Sequence, residues 1–441
     1  MSFIERLFGS GKKNAAPDIP FGRYTDAYKT DEQQAMFDRS LERFDEGDPL
    51  GAYREFLTYL KDEQTDNITW REENGALHFE FWQGSQRITG MADSEKVKVE
   101  SKIARTDDLN VGFLRRLMEA NFNLKFSRFA LDNDNSIAIL FDTHTADGSP
   151  LKLLYALREL AIHADKQDDL LLDEFKVLRP AQERTYGDIA EAEKEIKYNY
   201  LRAEIERVFA EIDKGKPDPN QYPGTYAYLY LALAFKLDYL VRPEGFMMDI
   251  LERVHGIYFA KNDRSPQVKI TAIRKEFQKL LERPKEAFFK EMYRTRSTFG
   301  INPAVNHDSI VGLIEGELQN MEWPLQQNYE PLAMAVPQYI AGFALFHYAP
   351  PKPDRELFHL FFQIMEPAFF RELGFDIPYS EPEGHLSKTD ILKAIKQVVE
   401  RNHGAFPMLK PDVSRLNFAS PVLFAKSYLL MIKELNMSRD V

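Results

Sequence analysis

The chain has 441 residues, 44% hydrophobic and 29% charged, a balance that suits folded globular domains and excludes wholesale disorder. It contains no cysteine, which excludes disulfides, thiolate nucleophiles, zinc fingers and iron–sulfur clusters. A net charge of −12 argues against broad contact with a polyanion, so no nucleic-acid partner is expected.

Residues 1–29 read as an N-terminal arm. Phe3, Ile4, Leu7 and Phe8, followed by Lys12 and Lys13, form an amphipathic turn that is expected to dock on its own protein. It is too short to anchor a membrane. No apolar run reaches the length of about 18 residues that a membrane span requires, and no secretory h-region opens the chain. The expected location is the cytoplasm.

Residues 30–180 read as an α+β domain. Thr30 and Gln33 fit a capping box for a helix running to Asp62, interrupted at Gly47-Asp48-Pro49. The period then changes to two. Ile68 and Trp70 begin one strand, Asn74-Gly75 is a hairpin signal, and Leu77, Phe79 and Phe81 share one face of the next. Val97, Val99 and Ile103 mark a third strand. Leu109–Phe122 is helical, with Leu114, Leu117, Met118 and Phe122 assigned to one side. Lys125–Leu131 and Ser136–Asp142 pair across Asp132-Asn133-Asp134-Asn135, the strongest hairpin signal in the chain. A helix from Pro150 to about His163 closes the pattern: helix, three strands, helix, two strands, helix.

This order resembles the type III secretion chaperone-like fold, including YbjN-type proteins. The resemblance is carried by Phe113-Leu114-Arg115-Arg116-Leu117-Met118-Glu119-Ala120-Asn121-Phe122, an Asn-terminated apolar helix, by Phe129-Ala130-Leu131-Asp132, and by the strand Ile137–Phe141. It covers about residues 31–178. It implies a non-enzymatic chaperone or adaptor that holds a partner polypeptide, and a homodimer formed through the second helix and neighbouring strands. Phe113, Phe122, Phe126 and Phe129 are the partner-binding candidates on that basis. The resemblance implies no cofactor. The departure is the long helical region that follows.

Leu178-Arg179-Pro180 is the expected boundary, and residues 190–441 read as an all-α domain, either an irregular bundle or degenerate helical hairpins. Helices are predicted over 190–213, 225–241, 244–260, 266–281, 285–298, 306–321, 332–348, 354–372, 387–402 and 420–435, with prolines between them. Ser387 and Asp390 suggest a cap. The dense aromatics around Tyr222–Tyr239 and Phe343–Phe370 read as core. Catalytic and phosphate-binding glycine motifs are absent. The alternative function lies in two Glu-x-x-His pairs, Glu252 with His255 and Glu356 with His359. With Glu204 or Glu206 and Glu315 or Glu317, they follow the chain order of a di-iron or di-manganese carboxylate bundle, a metal-dependent oxidoreductase or metal-binding site.

Overall fold

Thr30 opens the first helix with a reciprocal cap. Its hydroxyl accepts from the Gln33 amide, and the Gln33 side chain accepts from the Thr30 amide, both at 3.1 Å. α1 (Asp31–Asp45) ends before Gly47, which adopts φ +84°, and α2 (Pro49–Leu60) restarts with the Asp48 carboxylate capping the Gly51 N–H at 2.9 Å. The computed structural model describes residues 17–23, 29–62, 66–106, 111–181, 187–218, 221–380 and 385–438. The amphipathic turn read at Phe3–Phe8 lies outside the described residues.

Four antiparallel strands follow: β1 (Ile68–Glu73), β2 (Ala76–Gly84), β3 (Gln86–Ala92) and β4 (Lys96–Arg105). Asn74 and Gly75, at φ +52° and +77°, make the β1–β2 turn with two consecutive left-handed residues, the geometry that matches strand twist. α3 (Val111–Asn121) then crosses to β5 (Arg128–Leu131) and β6 (Ser136–His144). β6 returns beside β4, so the strand order is β1-β2-β3-β4-β6-β5 and β5 is an edge. In the β5–β6 turn the Asp132 carboxylate accepts from the Asp134 and Ser136 amides at 2.9 and 2.8 Å.

The protein is α+β followed by helices, as the patterns predict, but four strands rather than three precede α3. The additional one is β3. It is joined to β2 by Gly84-Ser85, a weaker turn signature than Asn-Gly, and Gly90 interrupts its alternation.

α4 (Pro150–Glu174) is one helix of 25 residues, longer than the expected stop at His163. The polar run Asp165-Lys166-Gln167-Asp168-Asp169 looks like a loop in sequence. In the fold its side chains meet partners from distant elements. Asp165 accepts from the Ser85 backbone amide at 2.9 Å, and Asp168 from the Ser85 hydroxyl and the Gln86 side-chain Nε2, each at 2.6 Å. Asp169 accepts from the Tyr293 hydroxyl at 2.5 Å. Such bonds outweigh low helix propensity. Gly84 is required here: it sits at φ +57°, and a Cβ on it would lie 1.7 Å from the Asp165 carboxylate. One sheet face packs on α2 and α4 through Tyr53, Phe56, Phe81, Val99, Ile139 and Leu157, all within the same buried cluster.

β7 (Arg179–Pro180) pairs with β4. Next come α5 (Glu191–Asp213), α6 (Pro223–Val241), α7 (Gly245–Phe259), α8 (Pro266–Glu282) and α9 (Lys285–Lys290). The helix expected over 285–298 stops early because the chain turns back to the sheet. There β8 (Arg296–Ser297) pairs with β2, and the Phe299 ring meets Phe81 edge-on at 5.6 Å. α10 (His307–Leu318), α11 (Glu322–Gln326) and α12 (Glu330–His347) complete a compact unit spanning Gly22–Pro351. The compact units therefore do not divide near residue 180. Arg23 lies inside this unit, pairing with Asp238 at 2.9 Å and Glu244 at 3.0 Å.

The second unit comprises Met1–Phe21 and Lys352–Val441. Its helices are α13 (Lys352–Met365), α14 (Pro367–Glu372), α15 (Lys388–Asn402) and α16 (Pro421–Lys433). The helix predicted over 354–372 is split at Glu366-Pro367. Phe21 packs on Phe370 at 5.1 Å and on Phe375 at 5.8 Å. Ser387 stands at the N-cap of α15, yet its hydroxyl donates to the Asp390 carboxylate at 2.6 Å and makes no capping bond to the backbone.

Candidate functional site

α3 is apolar on two faces. About 3.6 residues per turn place Phe113 and Leu117 together, and both are buried against the sheet. Phe113 meets Phe175 edge-on at 6.0 Å. On another face lie Val111, Met118 and, just past the last turn, Phe122, which are 80%, 73% and 91% exposed. Arg115 falls on the same stripe. Met118 thus departs from the expected grouping with Leu117: the sheet takes only one of the two faces.

The segment after α3 is held by side chains from both neighbouring helices. The Glu159 carboxylate of α4 accepts from the amides of Lys125, Phe126 and Ser127 at 2.9, 2.9 and 2.8 Å, and from the Ser127 hydroxyl at 2.7 Å. Burial pushes this carboxyl up, but the bonds from Ser127, Lys125 and Phe126 prevail and hold it below the usual range. Asn121 accepts from the Phe129 amide at 2.7 Å and donates to the Phe129 carbonyl at 3.1 Å. Its side chain thereby takes the place of a further strand at the β5 edge.

Phe126 is 37% exposed beside this rigid segment, and Leu131 is also exposed. Leu151 and Tyr155, two turns and one turn before Glu159 on α4, are exposed as well. Seven of the large apolar side chains that face solvent therefore fall within residues 111–155. A concentration of this kind is a mark of interaction surfaces. The bases of this region are matched by acids: Arg115 pairs with Glu119 at 3.0 Å, Arg116 with Glu174 at 3.7 Å and Arg128 with Asp142 at 2.8 Å.

Of the four phenylalanines proposed from sequence, Phe122 and Phe126 reach solvent. Phe113 and Phe129 do not; both are core, because each lies on the sheet-facing side of its element. Sequence reading missed Val111 and Tyr155. The available signal was that α3 carries more apolar residues than one helix face can bury.

The Glu-x-x-His pairs are engaged otherwise. Glu252 accepts from Lys166 at 2.6 Å, and Lys166 also meets Asp249 at 3.2 Å. His255 packs near-parallel to His347 at 5.5 Å and against Phe259 at 4.6 Å. Burial, with His347 second, holds the His255 imidazole below its usual range. Glu252, His255 and His347 line a 290 Å³ cleft together with Arg23 and Asp238.

In the other unit Glu356 accepts from Arg401 at 3.0 Å and from Asn402 at 3.1 Å. His359 lies against Phe21 and Phe370, and burial, aided by Arg401, lowers it to about 4. Both residues border an 870 Å³ cleft. Glu204 is paired with Lys236 and Arg207 at 2.5 and 2.7 Å, and Glu317 accepts from Tyr228. Among the described residues, no group of three or more His, Cys, Asp or Glu is arranged to hold a metal ion. None of the described helices is long and apolar enough to cross a membrane.

No family model matches this chain. No curated protein matches it either.

Proposed function

We propose that this chain is a non-enzymatic protein-interaction or adaptor protein of the cytoplasm. In this reading its sheet-bearing region acts as a secretion chaperone-like module that engages a partner polypeptide through α3. A single observation carries the reading: α3 buries one apolar face in the core and leaves Val111, Met118 and Phe122 in water. Burying each of the two larger side chains against a partner would contribute roughly 1.5–3 kcal/mol. The bonds of Asn121 and Glu159 fix the surrounding backbone, so the face requires little ordering before it binds. The resemblance adds a homodimer through this same region as a second form of the reading.

Site-specific photocross-linking in the native host tests it. A photoreactive residue replacing Phe122 is expected to form a discrete protein adduct, and one replacing Val268, a half-exposed apolar residue on α8, is expected to form none. Equal labelling from both positions, or none from position 122, contradicts the reading.

A further inference from the structure

We propose that the corner between α6 and α7 is a binding site for a glycine–arginine segment of a partner polypeptide. In the free chain it is occupied by Gly22 and Arg23 of the N-terminal arm. This site shares no residue with the α3 stripe. The acceptors around the Arg23 guanidinium come from one short stretch, residues 238–248. Nε donates to the Asp238 carboxylate at 2.9 Å and Nη1 to the Glu244 carboxylate at 3.0 Å, with the Met248 sulfur beside it, while Nη2 donates to the Pro243 carbonyl. Acceptors spread over all three nitrogens fit a planar guanidinium and not the point charge of a lysine. The preceding residue is read as well. The Gly22 amide donates to the Tyr239 carbonyl at 2.9 Å, in the last turn of α6, whose carbonyls have no partner within the helix. Gly22 sits at φ +70°, a conformation that favours glycine.

The neighbouring bases are committed to other groups. Lys166 pairs with Glu252 at 2.6 Å and Asp249 at 3.2 Å, and Arg283 pairs with Asp173 and Glu291. Arg242, on the same corner, gives its Nη2 to the Thr295 hydroxyl at 2.7 Å. Asp238 and Glu244 are 5% and 4% exposed, and buried carboxylates that lose their counter-charge are strongly unfavourable. The corner is therefore built for a guanidinium, whichever chain supplies it. The arm is tied to this unit through one main-chain bond and one side chain. Beside them opens the 290 Å³ cleft, lined by Arg23 and Asp238 and continuing over Asn302, Leu345 and Phe346. It gives the flanking residues of a partner segment room to lie.

Titration calorimetry with the full chain tests this. The probes are acetyl-Gly-Arg-amide, its citrulline and lysine analogues, and free L-arginine. Arg23→Ala is expected to bind the Gly-Arg probe with a Kd on the order of 0.1 mM, and both analogues about tenfold more weakly or worse. Free L-arginine offers no preceding amide to the Tyr239 carbonyl and should lose a similar factor. The parent should bind the Gly-Arg probe about tenfold more weakly than Arg23→Ala, because its tethered arginine competes. Saturating the parent should speed hydrogen exchange over residues 17–23. Arg23→Lys keeps a cation against both acids and serves where Arg23→Ala fails to fold; it too should bind the probe more tightly than the parent does.

Equal binding of the arginine and citrulline probes overturns the proposal, as does the absence of binding to both variants at about 1 mM. A parent that binds as tightly as the variants, or whose arm keeps its exchange rates when saturated, overturns the occupation of the site by Arg23. Free L-arginine binding as tightly as the dipeptide overturns the polypeptide ligand and gives the corner to small guanidino compounds.

Discussion

Leu117 and Met118 are adjacent in sequence and opposite in surroundings, and substitution should separate them. Leu117→Ala is expected to cost about 2–4 kcal/mol in urea unfolding, because it opens a cavity under the sheet. Met118→Ala is expected to stay within about 0.5 kcal/mol. Equal effects would mean that the face assignment is wrong. Asp165 offers a pH test. Burial raises its pKa well above the usual value, and Glu244, Asp168 and Asp169 add to the shift. The folded state therefore holds this proton more tightly than the unfolded chain. That stabilisation is complete below about pH 4, the unfolded value, and is lost as pH rises through the folded value. Asp165→Asn keeps an acceptor for the Ser85 amide and removes the charge. It should stabilise the protein by on the order of 1 kcal/mol at pH 8, with a smaller gain at pH 5; a loss at pH 8 contradicts this. The pairing of Met118 with Leu117 could not be resolved from sequence, since helical spacing shows two apolar stripes without saying which one the sheet takes.

At the scale of elements, the junction of α3 and β5 carries the clearest expectation. Asn121→Ala removes both bonds to Phe129, and an unsatisfied, partly buried amide costs about 1–3 kcal/mol. Hydrogen exchange at the Phe129 amide should accelerate accordingly, and unchanged protection would show that Asn121 does not seal the edge. The elements legible in sequence are those with local signals: the Thr30–Gln33 cap, the Asn74-Gly75 turn, the Asp132–Asn135 turn and the proline-bounded helices. What remained hidden depends on distant residues. α4 runs past His163 because Ser85, Gln86 and Tyr293 satisfy its acids. α9 stops short because β8 pairs with β2. The role of Asn121 was equally out of reach. The sequence shows an asparagine at a helix end, and only the fold brings it to the β5 backbone.

At the scale of the molecule, the sheet shares its unit with the helices that follow. Phe299 packs on Phe81, the Thr298 and Phe299 amides donate to Gln83 at 3.2 and 3.1 Å, and Tyr293 donates to Asp169. A fragment of residues 30–180 loses all of these. It should melt several degrees below a fragment of residues 22–351 in calorimetry, and less cooperatively; equal transitions would show that the sheet domain stands alone. The exposed α3 stripe is the central claim, and one measurement bears on it most directly: the Met118→Ser, Phe122→Ser double variant of the full chain, compared with the parent for thermal stability and for formation of its partner complex. Because both side chains lie in water in the free protein, the melting temperature should move by no more than about 2 °C while the complex is lost. A large fall in melting temperature, or a complex that survives, would contradict the account.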